Sequence, residues 1–490
     1  MTEIATSPPG RNRLGLSLPL FVVFGVYTHV CVFGDRVIGD PDTYWHIAVG
    51  RWIIAHRAVP HDAIFSATMP HVPWVTQEWL AEIVIAWLFD QFGWAGLVAA
   101  TALCVAMALA MLLRALLRSL EPVHALIATG LAYFLTIPHI LARPHILTLP
   151  ILVAWVAALV QARSEDRAPS PWLALLMILW ANLHGGYVVG PGLAALLGGE
   201  AVLLAADWPA RLRAARGWAI FGALLVIAAL VTPYGIEGLL LPFRMLQMSF
   251  SLAQVTEWQS PNFQSIQPLE VWIMLVFLAT FSLGWRLPLT RVLLLLFLLH
   301  LALRHLRFGE LLGFVAPLLA ASALAPQLGR RSVSLLDRHV AALAKPASVG
   351  GVALAGAVLL AISGVLLRSG VALEARAITP AAALAAVRAA HVEGPVLNEY
   401  NLGGYLIFFG VEPFIDGRYL YGDAFIKRYL EAVLLANDQL PGLLTEYGIT
   451  WTLFSANWPA VALLDHLPGW RRLYADDIAV VHVRDDQPVR

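Results

Sequence analysis

The chain has 490 residues, of which 59% are hydrophobic and only 13% are charged, and its mean hydropathy is +0.73. Soluble globular proteins carry about 25% charged residues, so lipid is the expected solvent for most of this surface. The formal net charge is zero, which excludes the strongly basic field typical of nucleic-acid binding. With two cysteines, Cys31 and Cys104, a disulfide framework or a cysteine metal site is excluded, and both are interpreted as buried apolar residues.

Eleven apolar segments approach the length of about 20 residues that crosses a bilayer. The first follows a short polar N-terminus without a clear cleavage site, so we interpret it as a retained span. The fifth and sixth are short and share a turn at His184, and they form either two spans or one bent hairpin. The segments are 14–34, 93–113, 123–141, 146–162, 170–184, 187–206, 217–233, 269–284, 290–304, 308–325 and 349–367.

Basic residues near the span ends predict the orientation. If the N-terminus is cytoplasmic, every inner connection carries at least two Lys or Arg residues. The acidic and histidine-rich connections then share the outer face, which suggests one extracytoplasmic site. We therefore predict an α-helical multi-pass protein of the inner (plasma) membrane, with a transmembrane domain over 1–370. Alternating strands and helices after the last span predict an extracytoplasmic α/β domain over 371–490.

The first outer loop, 35–80, is too long for a simple connection. Asp40 and Asp42 flank Pro41 directly after the first span. Two carboxylates at the mouth of a membrane cavity suit a general base or a metal ion. For Asp42 the alternative is the N-cap of the amphipathic stretch that follows.

That amphipathic stretch predicts an interfacial helix lying on the membrane, with Trp45 and Trp52 at headgroup depth. Within it, His46 is either a site residue or a hydrogen-bonded structural residue. Glu78, before the next apolar stretch, is either an outer-face site residue or a first-turn acid favoured by the helix dipole.

Three short motifs occur in order along the chain: GDPDTYWH at 39–46, VTEWQ at 255–259 in the long outer loop 234–268, and NEYNLGGY at 398–405. Together they resemble the GT-C superfamily of membrane glycosyltransferases, which use lipid-phosphate-linked sugars. Their order is similar to that in the oligosaccharyltransferase catalytic subunit.

The resemblance implies roles for several residues. It places Asp40, Asp42 and Glu257 in the catalytic site, and it suggests a divalent metal ion held by Asp40 and Glu257. It also implies that Asn401 and Tyr405 belong to an acceptor-recognition motif, in which Asn401 stands where the family has an aspartate. In place of the family's second acidic pair, this chain has His139, Arg143 and His145.

Basic residues at the outer ends of the spans are candidates for binding a lipid phosphate, because the planar guanidinium of arginine matches phosphate oxygens. The alternative is pairing with lipid headgroups or with Glu310. His184 either binds substrate or satisfies the backbone of a broken helix. The phosphate candidates are Arg304, His305 and Arg307, and Arg143 and His145 are candidate substrate-binding residues at another outer helix junction.

In the C-terminal domain, Asp416 and Arg418 lie among aromatic residues and suit carbohydrate contact, with an ion-paired turn as the alternative.

The sequence thus predicts a glycosyltransferase that moves a sugar from a polyprenyl-phosphate-linked donor to a glycan, lipid or protein acceptor outside the membrane. One alternative is a non-catalytic assembly or scaffold protein with the same fold. A lipid or glycan transporter is less consistent with polar groups gathered at one end of the spans. Apart from the metal, no cofactor is indicated.

Overall fold

A computed structural model describes residues 15–328, 343–369 and 379–486. The predicted boundary at 370/371 falls outside the described residues, as do several basic residues used to predict the orientation: Arg11, Arg13, Arg330, Arg331 and Arg338.

Within the described ranges, an α-helix covers each predicted apolar segment. By length and composition, five helical segments there can cross a membrane: Trp79–Leu116, Pro144–Ser164, Gly185–Leu203, Trp208–Ala229 and Val349–Arg368. The helices are α1 Leu18–Val32, α2 Gly34–Val37, α3 Asp42–His56, α4 Trp79–Leu116, α5 Pro122–Thr136, α6 Pro144–Ser164, α7 Leu173–Leu183, α8 Val189–Leu203, α9 Trp208–Ala229, α10 Ile236–Met245, α11 Ser249–Gln254, α12 Pro268–Leu283, α13 Leu289–Arg304, α14 Phe308–Leu324 and α15 Val349–Arg368.

Local chemistry sets where several helices begin. Pro144 occupies the first position of α6, where its missing N–H and fixed φ are tolerated. The Asp207 carboxylate accepts the N–H of Ala210 at 2.6 Å and caps α9. A capping box between Gln267 and Glu270 starts α12. These signals place the helix ends that frame the outer loops.

Helix α4 begins well before the predicted span at 93. Gly93 has φ 61° and interrupts the helical dihedrals, so the segment before it is a separate helical piece that runs directly into the span. Polar Glu82 and Asp90 conceal this extension in the hydropathy pattern. Glu78 is the N-cap residue of this first helical piece.

Helix α4 is also the centre of the membrane part. Leu109, Leu112 and Leu113 of α4 and Trp155 of α6 have no exposed surface. Lipid tails are as apolar as these side chains, so packing between the helices rests on van der Waals contact rather than on exclusion of water.

The C-terminal domain contains a four-stranded sheet in the order β1-β2-β4-β3. Strand β1 is parallel to β2, and the other pairs are antiparallel. The sheet and its helices agree with the predicted alternation, although β3 was not predicted. The strands are β1 Val396–Asn398, β2 Trp451–Phe454, β3 Trp470–Ala475 and β4 Val480–Arg484, and the helices are α16 Ala381–Ala389, α17 Gly403–Phe408, α18 Asp423–Val433, α19 Leu440–Glu446 and α20 Pro459–Leu464.

The first outer loop joins the two parts of the molecule. Helix α3 packs against α4 on one side and against α17 of the C-terminal domain on the other. Trp45 is only 7% exposed, so the predicted headgroup position for this residue is wrong. Further along the loop, Thr68 Oγ1 donates to the carbonyl of Phe414 at 2.7 Å. The loop is therefore an interface between domains.

Candidate active site

The turn at 40–42 orients two carboxylates differently. Asp40 Oδ1 accepts the backbone N–H of Asp42 at 2.8 Å. Asp42 is the first residue of α3, and Asp40 rather than Asp42 accepts the backbone N–H at the start of this helix. The alternative that Asp42 caps the helix is therefore wrong. The Asp42 carboxylate instead accepts Trp45 Nε1–H at 3.1 Å and faces Arg143.

Arg143 binds three carboxylates, one with each guanidinium nitrogen. Nε lies 2.5 Å from Asp40 Oδ2, Nη2 lies 2.7 Å from Asp42 Oδ2, and Nη1 lies 2.9 Å from Glu257 Oε1. Arg143 has an extended backbone just before Pro144, which starts α6. We call these four side chains the Arg143 cluster. It brings together residues from three separate chain segments that the sequence had singled out independently.

The members of the Arg143 cluster differ in accessibility. The Asp40 side chain is 5% exposed, whereas those of Asp42 and Glu257 are 22% and 30% exposed. A substrate can therefore touch Asp42 and Glu257, while Asp40 lies behind them.

The members of the Arg143 cluster also differ in how their surroundings shift their pKa values. Burial raises the pKa of Asp42 to about 6, against the opposing charge of Arg143. Burial alone would raise the pKa of Glu257 as well, but Arg307 and Arg143 lower it to about 2. Burial lowers the pKa of Arg143, but its carboxylate partners outweigh that and hold it well above its usual range. Asp42 is the group of this cluster that titrates near neutral pH.

The long outer loop is fastened next to the cluster. Glu257 lies in a short 3-10 helix, Thr256–Trp258, and its carbonyl accepts the N–H of Arg307 at 3.1 Å. The guanidinium of Arg307 stacks over the Trp258 ring, 4.5 Å from its centroid. This attachment orients Glu257 and brings Arg307 close enough to influence its charge.

The three predicted phosphate-binding residues of the neighbouring turn occupy different positions. His305 Nδ1 lies 2.5 Å from the Trp258 carbonyl and thus holds the loop. Arg304 is exposed, and its carbonyl rather than its guanidinium contacts the loop, accepting from Ser260 Oγ at 3.1 Å. Of the three, Arg307 is the one whose charge lowers the pKa of Glu257 in the Arg143 cluster.

A second polar group lies beside the cluster. His184 Nδ1 accepts the N–H of Gly186 at 3.0 Å, so the neutral ring carries its proton on Nε2. That nitrogen lies 3.2 Å from Glu78 Oε1. Burial raises the pKa of Glu78 to about 8. Glu78 thus lies among the side chains of the candidate site, and its carboxyl makes no capping hydrogen bond at the start of α4.

His46 connects Glu78 to a carboxylate that the sequence analysis missed. Its Nε2 lies 3.7 Å from Glu78 Oε2, and its Nδ1 lies 3.3 Å from Glu82 Oε1. Glu82 has no exposed surface, and both of its oxygens accept from Thr76 Oγ1, at 2.9 and 2.8 Å. The four-residue spacing from Glu78 to Glu82 on one helix was the available signal.

His145, the remaining histidine among the predicted site residues, lies near His184. His145 Nε2 lies 3.2 Å from the His139 carbonyl, and the rings of His145 and His184 are 6.1 Å apart.

The C-terminal domain touches the turn at 40–42 through two glycines that the sequence analysis did not single out for this role. A side chain at Gly404 would overlap the Pro41 carbonyl, and one at Gly417 would overlap the Asp42 carboxylate. The 398–405 motif therefore contributes backbone contact. Asn401 is exposed, and Tyr405 is buried edge-to-face against Tyr44 with ring centroids 5.2 Å apart.

Asp416 and Arg418 form a buried structural pair. Arg418 Nη2 lies 2.8 Å from Asp416 Oδ2, and neither side chain has exposed surface. The guanidinium also donates to the carbonyls of Ile64 and Phe65 in the first outer loop. This is the ion-paired turn left open as the alternative, since side chains without exposed surface cannot contact a sugar.

The metal ion that the resemblance implies does not fit these residues. Among the described residues, no group of three or more His, Cys, Asp or Glu side chains is arranged to hold a metal ion. The guanidinium of Arg143 occupies the space between Asp40 and Glu257, the two suggested ligands.

Comparison with known structures identifies the fold. ArnT from Cupriavidus metallidurans, bound to undecaprenyl phosphate, is similar with a TM-score of 0.52 and 13% identity, over 96% of this chain and 98% of that one. The chain has a GT-C fold. The archaeal oligosaccharyltransferase AglB from Archaeoglobus fulgidus, in complex with an inhibitory peptide and a dolichol-phosphate, gives a TM-score of 0.46 and 11% identity, over 96% and 75%. No protein-family model and no curated protein matches the chain.

The similarity confirms the GT-C fold that the resemblance implied and, with the apolar helices of the described residues, the prediction of a multi-pass membrane protein. The number of spans and the orientation of the termini stay predictions.

Proposed function

We propose that this protein is a glycosyltransferase that moves a sugar from a polyprenyl-phosphate-linked donor to an acceptor on the outer face of the inner membrane. The observation that carries the proposal is the Arg143 cluster, which presents two accessible carboxylates beside a further arginine in a GT-C fold. The structure of ArnT with undecaprenyl phosphate supports a lipid phosphate as the donor's leaving group. The positive-inside pattern supports an outer site.

Asp42 is the proposed general base. It is accessible, and burial raises its pKa to about 6, so it is ionised at neutral pH yet close to the operating pH that favours proton transfer. The acceptor O–H gives its proton to Asp42 while its oxygen bonds to the anomeric carbon of the sugar. The bond from that carbon to the phosphate oxygen breaks, and its electron pair leaves with the lipid phosphate.

Asp40, which the sequence analysis offered with Asp42 as a general base or metal ligand, has a positioning role in this scheme. Its side chain is 5% exposed and already binds Arg143 and the backbone of Asp42. It therefore holds the base and the arginine in place without touching the acceptor.

Arg307 is the proposed contact for the phosphate. It is half-buried, its backbone is hydrogen-bonded to Glu257, and its guanidinium is stacked on Trp258. A preorganised cation at the leaving oxygen stabilises the charge that develops there during transfer. In this scheme Glu257 is next to Arg307, which contacts the phosphate, and belongs to the Arg143 cluster, where the acceptor binds.

Photo-crosslinking with a polyprenyl-phosphate probe, combined with a sugar-transfer assay, tests the proposal. Wild type should label and transfer, Asp42→Asn should label without transfer, and Arg307→Ala should lose labelling. Arg51→Ala is the matched control, because Arg51 forms an exposed pair with Asp90 outside the site. Equal, weak labelling of all four proteins would refute a lipid-phosphate donor. Labelling without transfer by wild type, with every lipid-linked sugar tried, would favour the scaffold alternative.

A further inference from the structure

We infer that a cavity between the first outer loop, α4 and the C-terminal domain binds an anionic phospholipid, with one acyl chain among aromatic side chains and the phosphate at Arg388. The cavity has a volume of about 560 Å³, and none of the residues that line it belongs to the Arg143 cluster. The inference stands without the proposed function, because it requires only that the chain lies in a membrane.

Aromatic side chains from both parts of the molecule form the walls of this cavity. Tyr44 of α3 packs edge-to-face against Trp94 of α4 and against Tyr405 of α17, with ring centroids 5.1 and 5.2 Å apart. Apolar and aromatic walls with a few polar groups are typical of cavities of this size that bind organic ligands. The six rings are those of Tyr44, Phe89, Trp94, Tyr405, Phe408 and Phe409.

Helix α4 indicates the depth of the cavity relative to the membrane. Trp94 comes directly after Gly93, which interrupts the helix at the start of the predicted span. On the same helix, Trp87 and Phe92 are 53% and 46% exposed. Aromatic side chains, tryptophan above all, are enriched where a membrane protein meets the lipid headgroups. The cavity therefore lies at headgroup level, within reach of an acyl chain.

Helix α16 forms the open side of the cavity. Ala381, Ala385 and Arg388 line it and are exposed. Their spacing of four and three residues places them on one face of the helix. The two small side chains leave room for an acyl chain, and the arginine follows them on the same face.

Arg388 supplies a positive charge at this open side. Its guanidinium stacks over the Phe409 ring, 5.5 Å from the centroid, and Nη2 donates to the Phe409 carbonyl at 2.9 Å. Within residues 15–328, 343–369 and 379–486 it forms no ion pair. The two contacts with Phe409 orient the guanidinium and leave other N–H groups for a ligand. A guanidinium matches phosphate oxygens, so a phosphate is the group that fits here.

A second arginine beside the cavity has its charge balanced within the protein. Arg51 stacks over Phe89 and Phe408, 5.2 and 5.0 Å from their centroids. Its Nε and Nη2 donate to Asp90 Oδ1 at 2.9 and 2.5 Å. Arg51, Asp90 and Arg388 together carry one net positive charge, and that charge is the one on Arg388.

Charge decides which lipid this cavity prefers. Lipid tails are as apolar as the cavity walls, so an acyl chain gains little by leaving the bilayer. A headgroup with net negative charge pairs with Arg388, whereas a zwitterionic headgroup also brings a cation of its own. One arginine at the membrane surface favours an anionic lipid by about fivefold. An anionic phospholipid is therefore the occupant that matches both the walls and the charge.

Photo-labelling with two phospholipids tests the inference. The purified full-length protein in neutral detergent is mixed with phosphatidylglycerol or phosphatidylcholine, each with a diazirine at the same acyl position, and labelled peptides are identified by mass spectrometry. In wild type, phosphatidylglycerol should label 381–389 and 403–409 about fivefold more than phosphatidylcholine does. Arg388→Gln should remove this difference. Arg428→Gln, from an exposed pair with Glu446 in the same domain, should keep it.

A variant that fills the cavity provides a second arm. Ala385→Trp should abolish labelling of these peptides by both lipids, because the new ring occupies the path of the acyl chain. Ala381→Trp, on the same exposed face, replaces it if Ala385→Trp does not elute as wild type does in gel filtration.

Three results would overturn the inference. One is wild-type protein that carries no label in these peptides. The second is equal labelling by the two lipids that Arg388→Gln does not change. The third is displacement of phosphatidylglycerol from these peptides by unlabelled polyprenyl phosphate, which would make the cavity part of the donor site. Absence of sugar transfer would refute the proposed function and leave the lipid-labelling result unaffected.

Discussion

Two arginine–carboxylate groups in this protein have similar composition and different consequences. Arg143 binds three carboxylates that are 5%, 22% and 30% exposed, and the group carries excess negative charge. Arg418 binds one carboxylate with no exposed surface, and its other donors go to loop carbonyls. The Arg418 pair has no net charge and no exposed surface, whereas the Arg143 cluster has a net negative charge and is partly exposed.

The difference teaches how to tell a structural ion pair from a reactive one. A buried pair that is balanced and fully hydrogen-bonded has no remaining charge or surface with which to act on a ligand. A cluster with more carboxylates than cations, whose side chains are partly exposed, keeps a group whose proton can be exchanged near neutral pH. The variants below test each side of this contrast.

The largest effect is expected at Asp42. Asp42→Asn removes the proposed base and should lower sugar transfer by roughly 10²–10⁴-fold, the usual contribution of a general base. In wild type, kcat/KM should rise with pH through about 6, because the base must lose its proton to act. A steady-state assay between pH 5 and 8 measures both.

Asp90→Asn is the matched control for Asp42→Asn, since Asp90 forms an exposed pair with Arg51. If Asp42→Asn transferred sugar at a rate within threefold of that control, Asp42 would have no role in the chemistry. The Arg143 cluster would then be a structural group, as the Arg418 pair is.

The closed pair should affect stability. Arg418→Ala leaves Asp416 buried without its partner, and breaking such a pair costs about 3–5 kcal/mol. The variant should unfold at a clearly lower temperature and should expose the first outer loop to proteolysis. Thermal unfolding in detergent and limited digestion are the measurements, with Arg428→Ala, from an exposed pair with Glu446, as control. Unchanged stability would contradict the contrast.

Substitutions of Arg304 and Arg307, the two arginines at the turn after α13, should differ in their effect on donor binding because the two side chains have different environments. Arg307→Ala should weaken labelling by a polyprenyl-phosphate probe about 10–100-fold, because a hydrogen bond to a charged group contributes about 1.5–3 kcal/mol. Arg304→Ala should have a smaller effect, because Arg304 is exposed and its guanidinium does not contact the loop. The reverse order would move the phosphate contact away from the Arg143 cluster.

The last prediction concerns the pH dependence that Glu78 gives to stability. Its pKa in the folded protein is about 8, above the ordinary 4.5, so the folded state binds this proton more tightly than the unfolded state. The stability it contributes is complete below about pH 4.5 and is lost as the pH rises through about 8. Glu78→Gln should therefore flatten the fall in unfolding temperature between pH 5 and 8.5, and the exposed Glu412→Gln should not.

Many residues of the site could be predicted from the sequence, but the contacts between them could not. Hydropathy located every apolar helix of the described ranges, and the motif at 39–46 identified Asp40 and Asp42. Arg143 and Glu257 were each singled out as well, yet separately, Arg143 as a substrate contact and Glu257 as a catalytic residue and metal ligand. Their direct pairing joins residues 114 positions apart, which no local pattern encodes.

The errors have a common physical cause. The sequence analysis placed Trp45 at the membrane surface because tryptophan is enriched at membrane–water interfaces. It offered Asp416 and Arg418 as sugar contacts because carboxylates among aromatic residues suit carbohydrate binding. In the structure, the first outer loop and the C-terminal domain cover one another and bury all three residues. Gly404 and Gly417 went unnoticed because their importance lies in the close approach of that domain to Pro41 and Asp42.

The sequence by itself determined that lipid surrounds most of the protein surface. It also determined where the helices lie along the chain and which residue types gather at one end of the spans. Those properties follow from composition and from periodicity along the chain, which are local. The tertiary structure alone decided that Arg143 lies among three carboxylates and that Arg418 is closed off. Exposure and charge balance depend on which distant segments meet, and only the packed chain brings them together.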